Sequence, residues 1–458
     1  MSELAYKRTN VYEKADEQQM KAIFDYAEGY KTFLDEAKTE REACAFVEKA
    51  AIAQGYVPYQ WGQKLNAGDK VYYNNRGKNI YLIRVGTADV SKAGIRIVAS
   101  HIDSPRIDLK QVPLYESDGI AFAKTHYYGG VRKYQWATIP LSLHGAVVLA
   151  NGEKLNVKIG EGENDPVFYI SDLLPHLAAK QNAKPLGEAI EGEDLNIWLG
   201  NIPFTAAKED KDKTVKENLL RILNEKYGIQ EADFLSAELS LVPAFNARDI
   251  GFDRALIGAY GHDDRVCSYP AYTALFDVET NDQTVMVVLA DKEEIGSEGT
   301  TGMQCAVFTD LIDAIAASFN TTSAAVRANS KCLSADVNAA YDPNFPQVLE
   351  KQNATYLSHG AGVTKFTGAR GKSGSSDADA EYVGFIRKLF DENGVVWQTG
   401  ELGKVDVGGG GTVAKYIAKM NIDTIDIGVA VVSMHAPYEV VSKADVYQNY
   451  LAFRAFMK

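Results

Sequence analysis

Residues 94–103 read Gly-Ile-Arg-Ile-Val-Ala-Ser-His-Ile-Asp. This is a short, largely apolar run that delivers His101 and Asp103 at its C-terminal end. The pattern recurs twice. Thr284 to Ala290 delivers Asp291, Glu293 and Glu294, and Thr424 to Met434 delivers His435. Near-continuous apolar strands separated by helical segments predict an α/β fold whose sheet is covered on both faces. Residues 308–319 and 379–393 read as covering helices. Residues 16–55 are helical as well, because Met20, Ile23, Phe24, Ala27, Tyr30 and Leu34 recur at helical spacing with charges between them. Asn79 to Val85 reads as a strand. The closing helix has a start signal at Ser442, with Asp445 three residues on in the capping-box spacing.

The middle of the chain differs. From about Ile107 to Leu241 short apolar segments, such as 141–149 and 155–159, alternate with glycine and polar turns. The densely charged run 208–217 reads as a solvated loop or helix start. This β-rich stretch lies between the first and second loaded strand ends. It therefore reads as a domain of residues 107–244 inserted into a discontinuous domain of residues 1–106 and 245–458.

The composition sets limits. The 458 residues are 46% hydrophobic and 24% charged, which is ordinary for a globular protein with a full core. The formal net charge of −13, with no basic tract, argues against nucleic acid as a partner. No stretch reaches the roughly 18 apolar residues of a membrane span, and residues 1–17 lack a signal-peptide core. Cys44, Cys267, Cys305 and Cys332 form no Cys-x-x-Cys pair, which fits a reducing cytoplasmic setting.

Ligands collect outside the carboxyl ends of strands in open α/β sheets, and here three such ends carry acids and histidines. In an extended chain His101 and Asp103 share a face, so Asp103 can support a metal-bound imidazole. Glu293 and Glu294 are either an exposed acidic turn or two carboxylates in one cavity, which a cation must then hold. Asp263 and Asp264 pose the same question, and Asp336 follows a small-residue stretch. Histidine and carboxylate donors suit zinc, cobalt or manganese. Other schemes fit less well. There is no His-Glu-x-x-His, no G-x-S-x-G elbow, and a P-loop-like stretch at 371–375 has Phe366 where the first glycine belongs. The four-glycine run 408–411 either binds an anion or packs backbone tightly.

Five segments, in order, extend this reading: ASHIDSPRIDLK (99–110), YGHDDRVCSY (260–269), ADKEEIGSEGT (290–300), LSADVNAAYDPNF (333–345) and SMHAPYE (433–439). With KTERE (38–42), YYGG (127–130), Trp136 and GELGKVDVGGGGT (400–412), they resemble the aspartyl aminopeptidase and aminopeptidase I family, most closely its bacterial aminopeptidase I branch. The resemblance covers nearly the whole chain. It implies an α/β/α sandwich zinc-exopeptidase domain interrupted by a β-rich dimerization domain, with dimers assembling into a homododecamer. It also implies a co-catalytic dizinc metalloaminopeptidase that removes the N-terminal residue of peptides with a bridging hydroxide. The implied roles are His101, Asp264 and Asp336 on one zinc, and Asp264, Glu294 and His435 on the other. Glu293 is the general base, Asp103 orients His101, and His176 reaches a neighbouring subunit's active site.

The preferred N-terminal residue is left open between acidic and neutral. Lys404 and Arg370 are the candidates for binding an acidic side chain. A dizinc carboxypeptidase or deacylase on the same plan is the alternative.

Overall fold

A computed structural model describes residues 4–206, 208–209, 211, 213–278 and 282–458. The chain divides into two units. The first comprises residues up to Ser104, 247–434 and 438–458, and the second residues 105–246 with 435–437.

The first unit is built on a nine-stranded sheet. At its centre Thr284–Ala290, Ile95–His101, Lys331–Ser334 and Asp423–Gly428 lie side by side and parallel, so their carboxyl ends emerge together. Burial fixes that register. Ile95, Ile97 and Ala99 enter one apolar cluster with Phe308, Leu311 and Ile315 of the helix Val307–Ser318. Val98 enters the opposite cluster, with residues of the helices Glu17–Glu36, Glu40–Ala53, His262–Phe276, Ala380–Glu392 and Lys443–Met457. Every residue of Thr284–Ala290 is buried. A buried Val, Leu or Met contributes about 1.5–3 kcal/mol, so a one-residue slip would be prohibitive.

A five-stranded sheet stands beside the strand ends in sequence. It contains Leu256–Ala259, just before Asp263; Asn338–Ala339, just after Asp336; and Ala430–Val432, just before His435.

The second unit carries a seven-stranded antiparallel sheet, in the order Lys154–Ile159, Leu141–Val148, Glu238–Pro243, Arg106–Ser117, Ile120–Tyr128, Ile197–Gly200, Tyr169–Ile170. The helix Val215–Tyr227 begins within the charged run 208–217, of which positions 210 and 212 lie outside the described residues.

Two local expectations resolve differently. The last helix begins at Lys443 after Ser442, but Ser442 makes no cap: its hydroxyl lies 2.9 Å from that of Ser358. Asp445 instead accepts the N–H groups of Ser358 and Gly360, each at 2.7 Å, so tertiary partners have taken both members of the box. The glycine run packs tightly. A Cβ on Gly408 would stand 2.3 Å from the Leu402 carbonyl oxygen, and the helix that follows, Ala414–Ala418, has only five residues.

Candidate metal centre

The strand Ile95–His101 ends on a buried imidazole. His101 Nδ1 lies 3.0 Å from the Asp103 carbonyl oxygen and 3.3 Å from its Oδ1. That partner places the proton on Nδ1 and directs Nε2 toward Asp263 Oδ1, 3.2 Å away, and Glu293 Oε2, 3.9 Å away. Asp103 serves a second purpose. Its Oδ1 accepts the N–H of Glu293 at 3.1 Å and its Oδ2 that of Glu294 at 3.2 Å. One fully buried carboxylate thus orients His101 and pins the turn that carries both glutamates. The turn, Glu293–Ile295, opens on Lys292 in the left-handed region at φ 65°.

His101, Asp263 and Asp336 are all buried and each brings a ligand atom within 4.8 Å of the others. Asp263 and Glu294 meet by the same measure. Gly428, on the strand beside Asp336, must be glycine, because a Cβ there would stand 1.8 Å from the Asp336 carbonyl oxygen.

The electrostatics call for a cation. Burial, then the charges of Asp264 and Glu293, push the Asp336 carboxyl well above its ordinary value. Burial alone would lower the His101 value, but its hydrogen bonds to Asp103 and Asp263 and the charges of Asp264 and Asp103 hold it well above the ordinary range. A proton on Nε2 does there what a divalent ion would do better, compensating several acids at once. One imidazole nitrogen with several carboxylate oxygens is a donor set that zinc accepts.

The sequence reading put the shared carboxylate on Asp264. The structure brings Asp263, and not Asp264, to His101 and Asp336. The reason is the backbone. Asp263 is extended (φ −81°, ψ 107°) and Asp264 is not (φ −118°, ψ 29°). Asp264 turns inward. It is fully buried, its Oδ2 is 3.3 Å from the His101 backbone nitrogen, and burial pushes its carboxyl well up. It supports the strand end from behind.

The other expected residues are placed as follows. His435 follows the strand Ala430–Val432 and groups with the second unit, where its Nδ1 donates to the Gly130 carbonyl at 2.9 Å and leaves the lone pair on Nε2. His176 lies exposed on the single turn Pro175–Leu177. Lys404 is half-buried in a turn anchored by its N–H to the Val348 carbonyl at 2.9 Å. Arg370 is exposed in a left-handed turn at φ 42°.

A parallel-centred α/β sheet whose strand ends bring buried histidine and carboxylate donors together defines an α/β protein with a candidate metal centre at its strand ends. The comparisons narrow it. The family model for aminopeptidase I zinc metalloprotease (M18) matches residues 33–457, and the chain belongs to this family. A probable M18 family aminopeptidase 1 of Clostridium acetobutylicum is 46% identical, over 100% of this chain and 99% of the relative. The crystal structure of an M18 family aminopeptidase from Thermotoga maritima superposes with a TM-score of 0.94 at 41% identity, covering 99% of this chain and 100% of that one. The mApe1 dodecamer of Saccharomyces cerevisiae shares the fold at TM-score 0.76 and 23% identity, over 94% of this chain and 96% of that one. The protein is therefore a zinc metalloaminopeptidase of the M18 family. No helix among the described residues is long and apolar enough to cross a membrane.

Proposed function

We propose that the chain removes N-terminal residues from peptides with two zinc ions held by His101, Asp263 and Asp336 on one side and Asp263, Glu294 and His435 on the other. Asp263 is the shared carboxylate. The observation that carries this reading is the buried His101–Asp263–Asp336 cluster in a chain of the M18 family. Zinc bound there supplies Lewis acidity toward the scissile carbonyl and makes water a nucleophile near neutral pH.

The chain's own groups do the rest. Glu293, held by its N–H to Asp103 and lying 3.9 Å from His101, takes the proton of the attacking water and passes it to the leaving amine. Asp103 and the Gly130 carbonyl fix the tautomers of His101 and His435. The exposed His176 reaches the active site of a neighbouring subunit and donates to the peptide or its developing oxyanion. The second unit is the dimerization domain, and the assembly is a dodecamer, as in the yeast relative. An acidic N-terminal side chain is met by Lys404 and Arg370, whereas a neutral one needs neither. The setting is the cytoplasm, which suits four cysteines that are all free.

The test is release of the N-terminal residue from Asp-, Glu-, Leu- and Ala-p-nitroanilides and short peptides, before and after a chelator and with zinc, cobalt or manganese restored. Chelator-sensitive cleavage that N-acetylation abolishes supports the reading and ranks the residue preference. A folded protein that binds two zinc equivalents but cleaves only blocked or C-terminal bonds is a deacylase or carboxypeptidase instead.

A further inference from the structure

A second charged cluster lies behind the catalytic turn, and the mechanism above does not use it. Asp291 ends the strand Thr284–Ala290, two residues before Glu293, and is almost completely buried. Its Oδ2 accepts the Thr301 hydroxyl at 2.5 Å and lies 3.1 Å from Lys292 Nζ and 4.0 Å from Lys78 Nζ. Lys78 Nζ in turn is 3.4 Å from Glu40 Oε1, and Glu40 is buried too. Glu40 opens the helix Glu40–Ala53 directly after its cap, Thr39. Lys78 sits in the turn between the strands Lys70–Asn75 and Asn79–Arg84.

That turn is docked on both sides. Asn75 Nδ2 donates to the Thr300 carbonyl at 2.8 Å, and Asn79 Nδ2 to the Thr301 carbonyl at 2.7 Å. Thr301 is also the backbone partner of Asp291, whose N–H reaches its carbonyl at 3.3 Å. The segment containing Glu40 touches the other half of the centre as well, since Arg265, next to Asp264, donates to the Lys38 carbonyl at 2.7 Å.

The charge balance says what Lys78 is for. Burial, then the charges of Glu40 and Asp103, act against the ionised Asp291, and Lys78 acts for it. The charges of two other buried carboxylates, Glu40 and Asp103, thus bear on Asp291, two residues before Glu293. Lys292, 3.1 Å from Asp291 Oδ2, belongs to the turn itself, so Lys78 is the cation that reaches Asp291 from a separate element, and the segment Asp291–Glu293 is too short to absorb a shift in that contact. The geometry points to Lys78, braced by Glu40, as a positioning residue that holds the catalytic turn in register with His101. This rests on Glu293 being the general base. A misplacement of about 1 Å at a reacting group can cost on the order of 10²-fold in rate.

The experiment is a double-mutant cycle on the zinc-loaded enzyme. Lys78→Met keeps the length and removes the charge. It should lower kcat about 10- to 100-fold while KM stays within about threefold. Two zinc equivalents should remain, and Lys78→Arg should recover most of the loss. In a Glu293→Gln background Lys78→Met should cost nothing further, because the group it positions is gone. A merely structural role would lower the residual activity again. Should Lys78→Met not fold, Lys78→Gln is read by the same cycle. If Glu293→Gln is crippled but the Lys78 variant leaves kcat unchanged, or if its loss multiplies with that of Glu293→Gln, the inference is wrong. If Glu293→Gln itself stays active, the general-base assignment fails, and that result is separable.

Discussion

Replacing Asp103 with asparagine removes one acceptor oxygen from a site that needs two. In the structure Oδ1 and Oδ2 each accept a backbone N–H, from Glu293 at 3.1 Å and Glu294 at 3.2 Å, and Oδ1 also faces His101 Nδ1 at 3.3 Å. An asparagine amide presents an NH₂ where one of those N–H groups points, so one buried donor is left unmatched. Leaving such a group unsatisfied costs about 1–3 kcal/mol. If that cost falls on the placement of the turn, it becomes about a 5- to 150-fold loss in kcat at about 1.4 kcal/mol per tenfold. Loss of the carboxylate behind a metal-bound histidine separately weakens metal affinity by about 10- to 100-fold. The assay is kcat at saturating zinc together with zinc affinity by chelator competition. Asp103→Asn should fall in both while its thermal midpoint moves little. A variant with kcat within twofold of wild type and unchanged zinc affinity would refute the two-way role of Asp103.

Glu293→Gln should lower kcat by about 10²–10⁴-fold and keep both zinc equivalents in elemental analysis, because it removes a proton acceptor and no ligand. Gly428→Ala should drive the Asp336 backbone away, its Cβ being aimed 1.8 Å from that carbonyl, and should weaken zinc retention in dialysis more than it lowers the melting temperature. Asp249 pairs with the buried Lys443 at 2.9 Å, with Lys31 at 3.0 Å and with Arg254 at 2.7 Å. Asp249→Asn therefore strands a buried ammonium and should cost about 3–5 kcal/mol in urea unfolding at neutral pH. Burial opposes ionisation of Asp249, but its bonds to Lys443, Lys31 and Arg254 win and hold it well below the usual carboxylate range. Its contribution is thus present above the unfolded carboxylate value of about 3.9 and is lost as pH falls through the lower folded one. The difference between wild type and Asp249→Asn should shrink on acidification, and a difference that grows would contradict the sign.

The parallel centre of the sheet was legible from the apolar runs ending in His101 and Asp291, whereas the run 424–434 is not one strand: Asp423–Gly428 joins the nine-stranded sheet, and Ala430–Val432, which precedes His435, joins the five-stranded one. The covering helices were legible from their spacing. The choice between Asp263 and Asp264 was not. Adjacent identical residues differ only in backbone angles, and those follow from Gly261 in the left-handed region and from the burial of His262 beside them. The cap at Ser442 was misread because a capping box is a local pattern, and the Ser358–Gly360 turn, distant in sequence, supplied better partners for both side chains. Lys78 carried no local mark, and Glu40 only its place in KTERE; the docking of the Asn75–Asn79 turn on Thr300 and Thr301 brings Lys78 to Asp291.

The central claim is that Asp263, with His101 and Asp336, holds the catalytic metal while Asp264 stands behind it. Zinc content per chain after reconstitution and dialysis tests this directly, with Asp263→Asn and Asp264→Asn compared side by side. Wild type and Asp264→Asn should hold two equivalents, and Asp263→Asn one or none. Two equivalents retained by Asp263→Asn and lost by Asp264→Asn would contradict it.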